Sequence, residues 1–466
     1  MRFLPVLIVA LFLGCSYSNR QPIVETVAPV WENRFDSTLL KEKHLLARTL
    51  TERFYRLNHY GFVWLDTVGT LPQGDTMVTI IRNAARYGLN PLDYHVNTIN
   101  SLLLMPKSAP EKMHLDFYLT DGFFALHCHL KRGRIASKSL NRIDLGSLKA
   151  TESIAALQAG LLEVTVRKQL ELQEPAHNQY HLLKAELNKL LAVPSKDRNV
   201  IANIEKLQVN MERWRWMEKP LPERYIAVNT PSFKLRVVEK DSVCLESKVI
   251  VGRKETQTPE LTSVIRSFTI YPYWHVPRSI VKEILPNIQK DSTYMARRNY
   301  QVLGKDGKVI DPSTLDWQSF DENNFPYTLR QREGSENTMG VIKFVFNNNY
   351  NVYLHDTNAR GLFSRENRAL SHGCVRVHKA VQLAHYLAKD DDTYVGPEDL
   401  DQYLEVRHRM DVTVVKPIPV LLQYFTAYAE NDRVEYYEDL YGKDQEILNA
   451  LYHVTLHAME GEEPLL

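Results

Sequence analysis

Residues 353–376 hold the chain's densest set of reactive side chains. The segment opens Tyr353-Leu354-His355-Asp356 and closes Ser371-His372-Gly373-Cys374-Val375-Arg376. A free thiol ionises near pH ~8.5, so at neutral pH it is a modest nucleophile. A nearby imidazolium or guanidinium stabilises the thiolate, and a positioned imidazole can take the proton. Two histidines and Arg376 stand close to Cys374 in the sequence. Gly373 leaves room for a substrate carbonyl beside the backbone. Its N–H and that of Cys374 could together face a developing oxyanion. These parts fit cysteine acyl transfer. A metal site built from His355, His372, Cys374 and His378 is the rival reading. No paired Cys-x-x-Cys or His-x-x-x-His spacing accompanies those residues, so no metal and no cofactor is expected.

The surrounding pattern predicts the frame that must hold these groups. Residues 40–140 and 150–216 show helical periodicity. Asp75 is placed to cap a helix that buries Met77, Ile80, Ile81, Ala84 and Tyr87 and stops at Gly88. A second helix runs to Arg132, with Cys128 as a core thiol. Ile201, Ile204, Leu207, Met211 and Trp214 form an apolar stripe, and Trp214 and Trp216 read as packing anchors. After Pro222 the period becomes two. Strands are predicted at 225–229, 233–237, 243–251, 267–271, 341–346 and 352–355. The less regular stretch 278–340 reads as an insertion capping a cleft. Beyond Cys374 a strand and a helix are expected, then strands at 412–415 and 420–428 separated by Pro417 and Pro419. The tail from Tyr436 reads as helix. Cys244 reads as inert and unpaired with Cys128.

Composition sets the outer limits. The 466 residues suggest two to four domains. Lys plus Arg is 57 and Asp plus Glu is 56, so no global charge draws the chain to nucleic acid. Four cysteines exclude a disulfide scaffold. Residues 4–13 are almost unbroken apolar, too short to span a bilayer and matching a secretory signal core. The sequence Leu13-Gly14-Cys15 that follows resembles a bacterial lipoprotein signal, with Cys15 as the lipidated residue. The expected location is the periplasmic side of the cell envelope, anchored to a membrane by lipid.

The spacing His355, fifteen residues, Ser371-His372-Gly373-Cys374 resembles the signature of the YkuD-type L,D-transpeptidases. Trp214-Arg215-Trp216, Tyr225-Ile226-Ala227-Val228-Asn229, Val249-Ile250-Val251-Gly252 and the segment Tyr271 to Pro277 resemble the long YcbB-like branch. So do Tyr87-Gly88-Leu89-Asn90-Pro91 and Arg132-Gly133-Arg134. The resemblance covers residues 45–395. It implies an α+β architecture, with a helical scaffold domain followed by a mixed β-sheet catalytic domain. The expected division is signal 1–15, tether 16–40, scaffold 41–220, catalytic domain 221–400 and C-terminal extension 401–466. The peptidoglycan-binding domain often inserted in that branch is expected to be missing, because residues 150–210 read as plain helices.

The resemblance also implies roles. Cys374 is the nucleophile and His355 the general base and later acid, oriented by the Asp356 backbone carbonyl. His372 and Gly373 shape the oxyanion side, and Ser371 supports the loop. Arg376 fixes the loop or a substrate carboxylate, while Tyr353 and Trp274 line the cleft. The implied substrates are peptidoglycan stem peptides, a tetrapeptide donor and a diaminopimelate acceptor, joined 3→3 through a thioester. The same residues would serve an L,D-carboxypeptidase using water. A non-catalytic peptidoglycan-binding lipoprotein would need none of Cys374, His355 and His372.

Overall fold

A computed structural model describes residues 45–459 except 105–107, 141–142, 144, 146–149, 218–219, 391–395 and 432. The expected signal segment, Cys15 and the tether to residue 40 lie outside the described residues.

The first half is helical: α1 (Arg48–Leu57), α2 (Pro72–Arg82), α3 (Val96–Leu104), α4 (Ala109–Arg132), α5 (Ala150–Leu162), α6 (Val166–Glu171), α7 (Asn178–Leu191) and α8 (Arg198–Trp216). Helix α4 is the axle. Every residue from Leu115 to Leu130 is buried, Cys128 included, because α1, α2, α3, α5 and α6 pack around it. Its buried Asp121 accepts the Leu46 and Ala47 N–H groups at 2.8 Å each, serving the unpaired donors at the start of α1. Helix α2 starts at Pro72 rather than at Asp75, because proline fits the first helical turn. Asp75 instead pairs with the Thr70 hydroxyl. The expected inward face is buried, and Gly88 stops the chain at φ +70°.

Two motifs interlock at the end of this domain. Gly133 has φ +89°, and a Cβ there would lie 2.6 Å from Glu212 Oε1 and 2.8 Å from Trp216 Nε1. Only glycine lets Arg132-Gly133-Arg134 approach α8 so closely. Glu212 then accepts the Ile135 N–H at 2.9 Å and the Arg215 guanidinium at 3.0 Å. Trp214 stacks between His177 and Phe425, with ring centroids 4.4 and 4.6 Å away. It is a packing anchor, as its place on the stripe predicts.

The second half is built on strands β1 (Arg224–Asn229), β2 (Lys234–Glu239), β3 (Ser242–Gly252) and β4 (Leu261–Ile270). Then come β5 (Trp274–His275), α9 (Arg278–Lys290), α10 (Tyr294–Arg297), β6 (Tyr300–Leu303), β7 (Val309–Ile310) and β8 (Thr328–Gln331). The chain returns with β9 (Ile342–Phe346), β10 (Leu354–His355), β11 (Ala369–Ser371) and β12 (Val375–Val377). Helices α11 (Ala380–Ala388) and α12 (Pro397–Val406) precede β13 (Met410–Gln423), β14 (Ala427–Glu430), β15 (Arg433–Tyr436) and α13 (Lys443–Met459). The main sheet has the order β11-β3-β12-β10-β9-β4-β13-β1-β2, and β3 also pairs with β2, so the sheet rolls back on itself. One apolar core of Ile226, Val237, Phe268, Phe344, Leu354, Val375, Leu383 and Val420, with others, fills its inner face.

Two expectations change here. The described residues beyond 401 do not form a separate extension. Strand β13 lies between β1 and β4 in the centre of the catalytic sheet. It runs through Pro417 and Pro419 as one strand, with a register shift between Thr413 and Ile418 that absorbs the irregularity. The insertion is not a loop either. Strands β5, β8, β6 and β7 make a second sheet. Trp274, Val281, Ile284, Leu285, Val302, Phe325 and Leu329 give it a core of its own with α9.

Candidate active site

The reactive segment occupies two adjoining parallel strands. Leu354 of β10 pairs with Val375 of β12, and His355 pairs with Arg376. The Val375 N–H donates to the Tyr353 carbonyl at 3.1 Å, which carries the pairing back to Tyr353 and Cys374. Registered residues of a parallel pair share a face, and side chains alternate along each strand. Leu354, Val375 and Val377 fall on the core side and are fully buried. Tyr353, His355, Cys374 and Arg376 fall on the other side. His355 and Cys374 are diagonal neighbours on strands spaced about 4.8 Å apart. Both line one cleft of about 360 Å³ with Tyr353, Ser371, His372 and Arg376. Trp274, Ile280 and Met339 of the inserted subdomain form its opposite wall. Fifteen residues separate His355 from the Ser-His-Gly-Cys run because the chain must cross over to enter β12 parallel to β10.

The charges around these groups favour a neutral base. Burial pushes the His355 imidazole down to about 3, and the Arg376 guanidinium acts in the same direction. The Asp356 and Met339 backbones pull the other way. Nδ1 of His355 is buried without a hydrogen-bond partner among the described residues. The Asp356 carboxylate is turned elsewhere, accepting from Arg360 at 2.7 Å and from the Val341 N–H at 3.1 Å. Burial pushes the Cys374 thiol up, while Tyr353, Lys343 and Arg376 pull it down. Arg376 Nε is buried without a partner, and no carboxylate lies in salt-bridge range of that guanidinium among the described residues. The Tyr353 ring stands edge-on to His355, centroids 5.6 Å apart.

The turn before β12 differs from expectation at the Gly373 N–H. Gly373 has φ +110°, a conformation L side chains rarely adopt. Its N–H donates to Ser371 Oγ at 3.1 Å, so it does not face the cleft as an oxyanion donor. Ser371 Oγ in turn donates to the Cys374 carbonyl at 2.6 Å, which supports the loop. The turn wraps around this hydroxyl and consumes the Gly373 donor. The Cys374 N–H has no hydrogen-bond partner among the described residues. The His372 imidazole lines the cleft and is also tied outward. Its Nε2 lies 2.9 Å from Glu283 Oε1 of α9 and 2.6 Å from the Arg253 guanidinium. It ties the catalytic turn to the inserted subdomain. His378 packs on Phe363, centroids 4.8 Å apart. No group of three or more His, Cys, Asp or Glu gathers as metal ligands among the described residues.

Sequence reasoning missed Lys343. It lies opposite His355 in β9, on the side away from Arg376, so a cation flanks the histidine on each neighbouring strand. Its Nζ sits 4.2 Å from the Tyr353 ring centroid. Burial pushes this ammonium down, and no acid lies within salt-bridge range among the described residues. The one signal in the sequence is a lysine in the apolar run Val341-Ile342-Lys343-Phe344-Val345-Phe346.

Comparison with known proteins agrees with this geometry. Residues 223–397 match the family model described as the L,D-transpeptidase catalytic domain YkuD, and residues 49–187 match the model described as a scaffold domain. A Haemophilus influenzae protein named "Putative L,D-transpeptidase" is 35% identical over 294 residues, 62% of this chain and 58% of that protein. The chain therefore spans a little over half the length of that curated relative. Among solved structures, the Ldtfm–avibactam carbamoyl enzyme is 12% identical, with a TM-score of 0.20, covering 43% of this chain and 49% of that one. An Enterococcus faecium L,D-transpeptidase, solved as a Cys-to-Ser mutant, is 11% identical with a TM-score of 0.18, covering 43% and 50%. Overall likeness at those scores carries no weight; the family models and the 35% relative do. Residues 223–397 thus carry a YkuD-type L,D-transpeptidase catalytic domain, preceded over residues 49–187 by the scaffold domain.

Proposed function

We propose that the protein is a peptidoglycan L,D-transpeptidase that forms 3→3 cross-links. The observation that carries this reading is that His355 on β10 and Cys374, just before the parallel strand β12, are diagonal neighbours lining one cleft. Neutral His355 takes the thiol proton. The sulfur attacks the carbonyl at the L-centre of diaminopimelate in a donor tetrapeptide. The bond to D-Ala breaks, and the leaving amine receives the proton from His355. A thioester on Cys374 remains. The side-chain amine of a second diaminopimelate attacks it, the carbon–sulfur bond breaks and a new amide forms. One amide is exchanged for another, so the balance needs no energy source. Arg376 and Lys343 supply the positive field that favours the thiolate, since His355 resists carrying a charge. Export through residues 1–15 and a lipid on Cys15 would place this chemistry on the periplasmic side of a membrane, beside its polymeric substrate. That part rests on the N-terminal sequence alone.

The test is mass spectrometry of the protein incubated with diaminopimelate tetrapeptide. Release of D-Ala and a matching adduct on Cys374 are expected. A folded protein with no adduct contradicts the reading. Supplying an acceptor stem should then yield 3→3 dimers. Tripeptide without dimers would mean that water is the acceptor and the enzyme is a carboxypeptidase.

A further inference from the structure

The segment beyond the family match passes, at Tyr441, beneath the turn that carries Cys374. Tyr441 lies in a buried position between β15 and α13. Its hydroxyl donates to the Gly252 carbonyl at 2.8 Å and accepts the Thr258 N–H at 3.2 Å. Thr258 Oγ1 accepts the Gly252 N–H at 2.9 Å and donates to the Gly373 carbonyl at 2.8 Å. Thr256 Oγ1 and the Arg253 N–H both reach the Ser371 carbonyl, at 2.9 and 3.0 Å. Residues 252–258 are folded tightly on themselves. A Cβ on Gly252 would lie 2.1 Å from the Thr256 carbonyl oxygen. Tyr441 is itself held from behind. Its N–H donates to Tyr424 Oη at 2.8 Å, and Tyr424 Oη donates to Asp439 at 2.6 Å. Asp439 also accepts the Lys443 and Asp444 N–H groups at 2.9 Å each, at the start of α13. Asp444 receives Arg213 of scaffold helix α8 at 2.5 Å.

One peptide plane gives this chain of contacts a chemical meaning. The C=O of Gly373 and the N–H of Cys374 belong to the same planar unit and point in opposite directions. A bond that holds the carbonyl toward Thr258 therefore aims the N–H away from it. That N–H is the donor left free in the catalytic turn, whereas the Gly373 N–H is spent on Ser371. We propose that the C-terminal segment is a working part of the active site, in which Tyr441 acts through Thr258 as a positioning residue that orients the Cys374 N–H toward the oxyanion of acyl transfer. This rests on the acyl-transfer reading of Cys374 and not on the identity of the donor.

Two small reagents separate this role from a general structural one. Iodoacetamide alkylates the sulfur without forming an oxyanion. With p-nitrophenyl acetate the sulfur–acetyl bond forms, the acetyl–oxygen bond breaks, the thiol proton passes to His355 and p-nitrophenolate leaves, through a tetrahedral oxyanion. Both products are read on the Cys374 peptide by quench mass spectrometry, in full-length protein carrying Cys244→Ser. Tyr441→Phe should slow acetylation about tenfold, as expected for a misplaced donor. It should leave alkylation within about twofold of the parent. Thr258→Val should show the same selective loss and Thr258→Ser should restore the rate. The Tyr441→Phe/Thr258→Val pair should be no slower than Thr258→Val alone. Acetylation that stays at the parent rate, a parallel fall in both reactions, or additive losses would each overturn the proposal. A parent protein acetylated by the ester yet inert to tetrapeptide would overturn the substrate assignment and leave the brace standing.

Discussion

In the scaffold, buried cations meet acids. Arg134 lies 2.7 Å from Asp93, Arg215 3.0 Å from Glu212 and Lys184 2.6 Å from Glu174. Arg213 reaches Asp444 at 2.5 Å on the same principle. In and beside the cleft, half-buried Arg376 and Lys343 meet none among the described residues, and among them His355 Nδ1 has no hydrogen-bond partner. Both regions bury charge, which is costly unless it is compensated. The scaffold compensates internally, which fixes how helices and motifs interlock. The cleft leaves the compensation to whatever anionic group forms or binds there. Unpaired buried polarity thus separates the cleft, where we propose the reaction occurs, from the part that holds.

The sharpest break of this contrast is at Cys374 and His355, the two groups proposed to react. Cys374→Ala should abolish thioester formation, and His355→Gln should slow it about 10²–10⁴-fold, each with a circular dichroism melt close to the parent. The opposite signature is expected in the scaffold. Arg215→Met leaves Glu212 buried and uncompensated, so unfolding in urea should show a loss of about 3–5 kcal/mol. Thioester formation by the fraction that remains folded should be unchanged.

Acid exposes the cleft histidine next. An unfolded imidazole titrates near ~6.5, whereas in the folded protein burial holds His355 down at about 3. Between those values the unfolded chain binds the extra proton, so stability present above pH ~6.5 is lost as the pH falls. His355→Gln should therefore be less acid-labile than the parent, by about 2 kcal/mol at pH ~5 in urea titrations. His127, pushed by burial to about 4 in α4, adds a loss of the same sign and similar size at that pH, which this variant keeps. The mildest change is at Lys343. Lys343→Met should cut Cys374 thioester formation about tenfold and move its alkylation profile up by about one pH unit. It should not lower the melting temperature, because a half-buried cation without an acid is removed. Lys343→Arg should recover most of the rate.

The catalytic segment was readable because its parts are contiguous. A histidine, a fixed gap and Ser371-His372-Gly373-Cys374 name themselves without any long-range contact. The helices of the scaffold were readable from apolar periodicity, and α4 only partly so, because a helix buried all round loses its polar face. Lys343 was not readable. Its importance comes from the register of β9 against β10, which no local pattern states. The same holds for β13. Its two prolines read as breaks, and only pairing with β1 and β4 shows it to be central. The inserted subdomain was hidden because its strands are two to four residues long, too short to show alternation. The misassigned Gly373 N–H has a different cause: its donor was captured by a hydroxyl two residues away, and rotamers are invisible in a sequence.

The most direct test of the account is the single-turnover rate of thioester formation on Cys374 with tetrapeptide donor, compared between the parent and His355→Gln. A drop of at least about a hundredfold is predicted, with the thioester still confined to Cys374. Equal rates in the two proteins would show that the imidazole on the neighbouring strand takes no part in moving the proton.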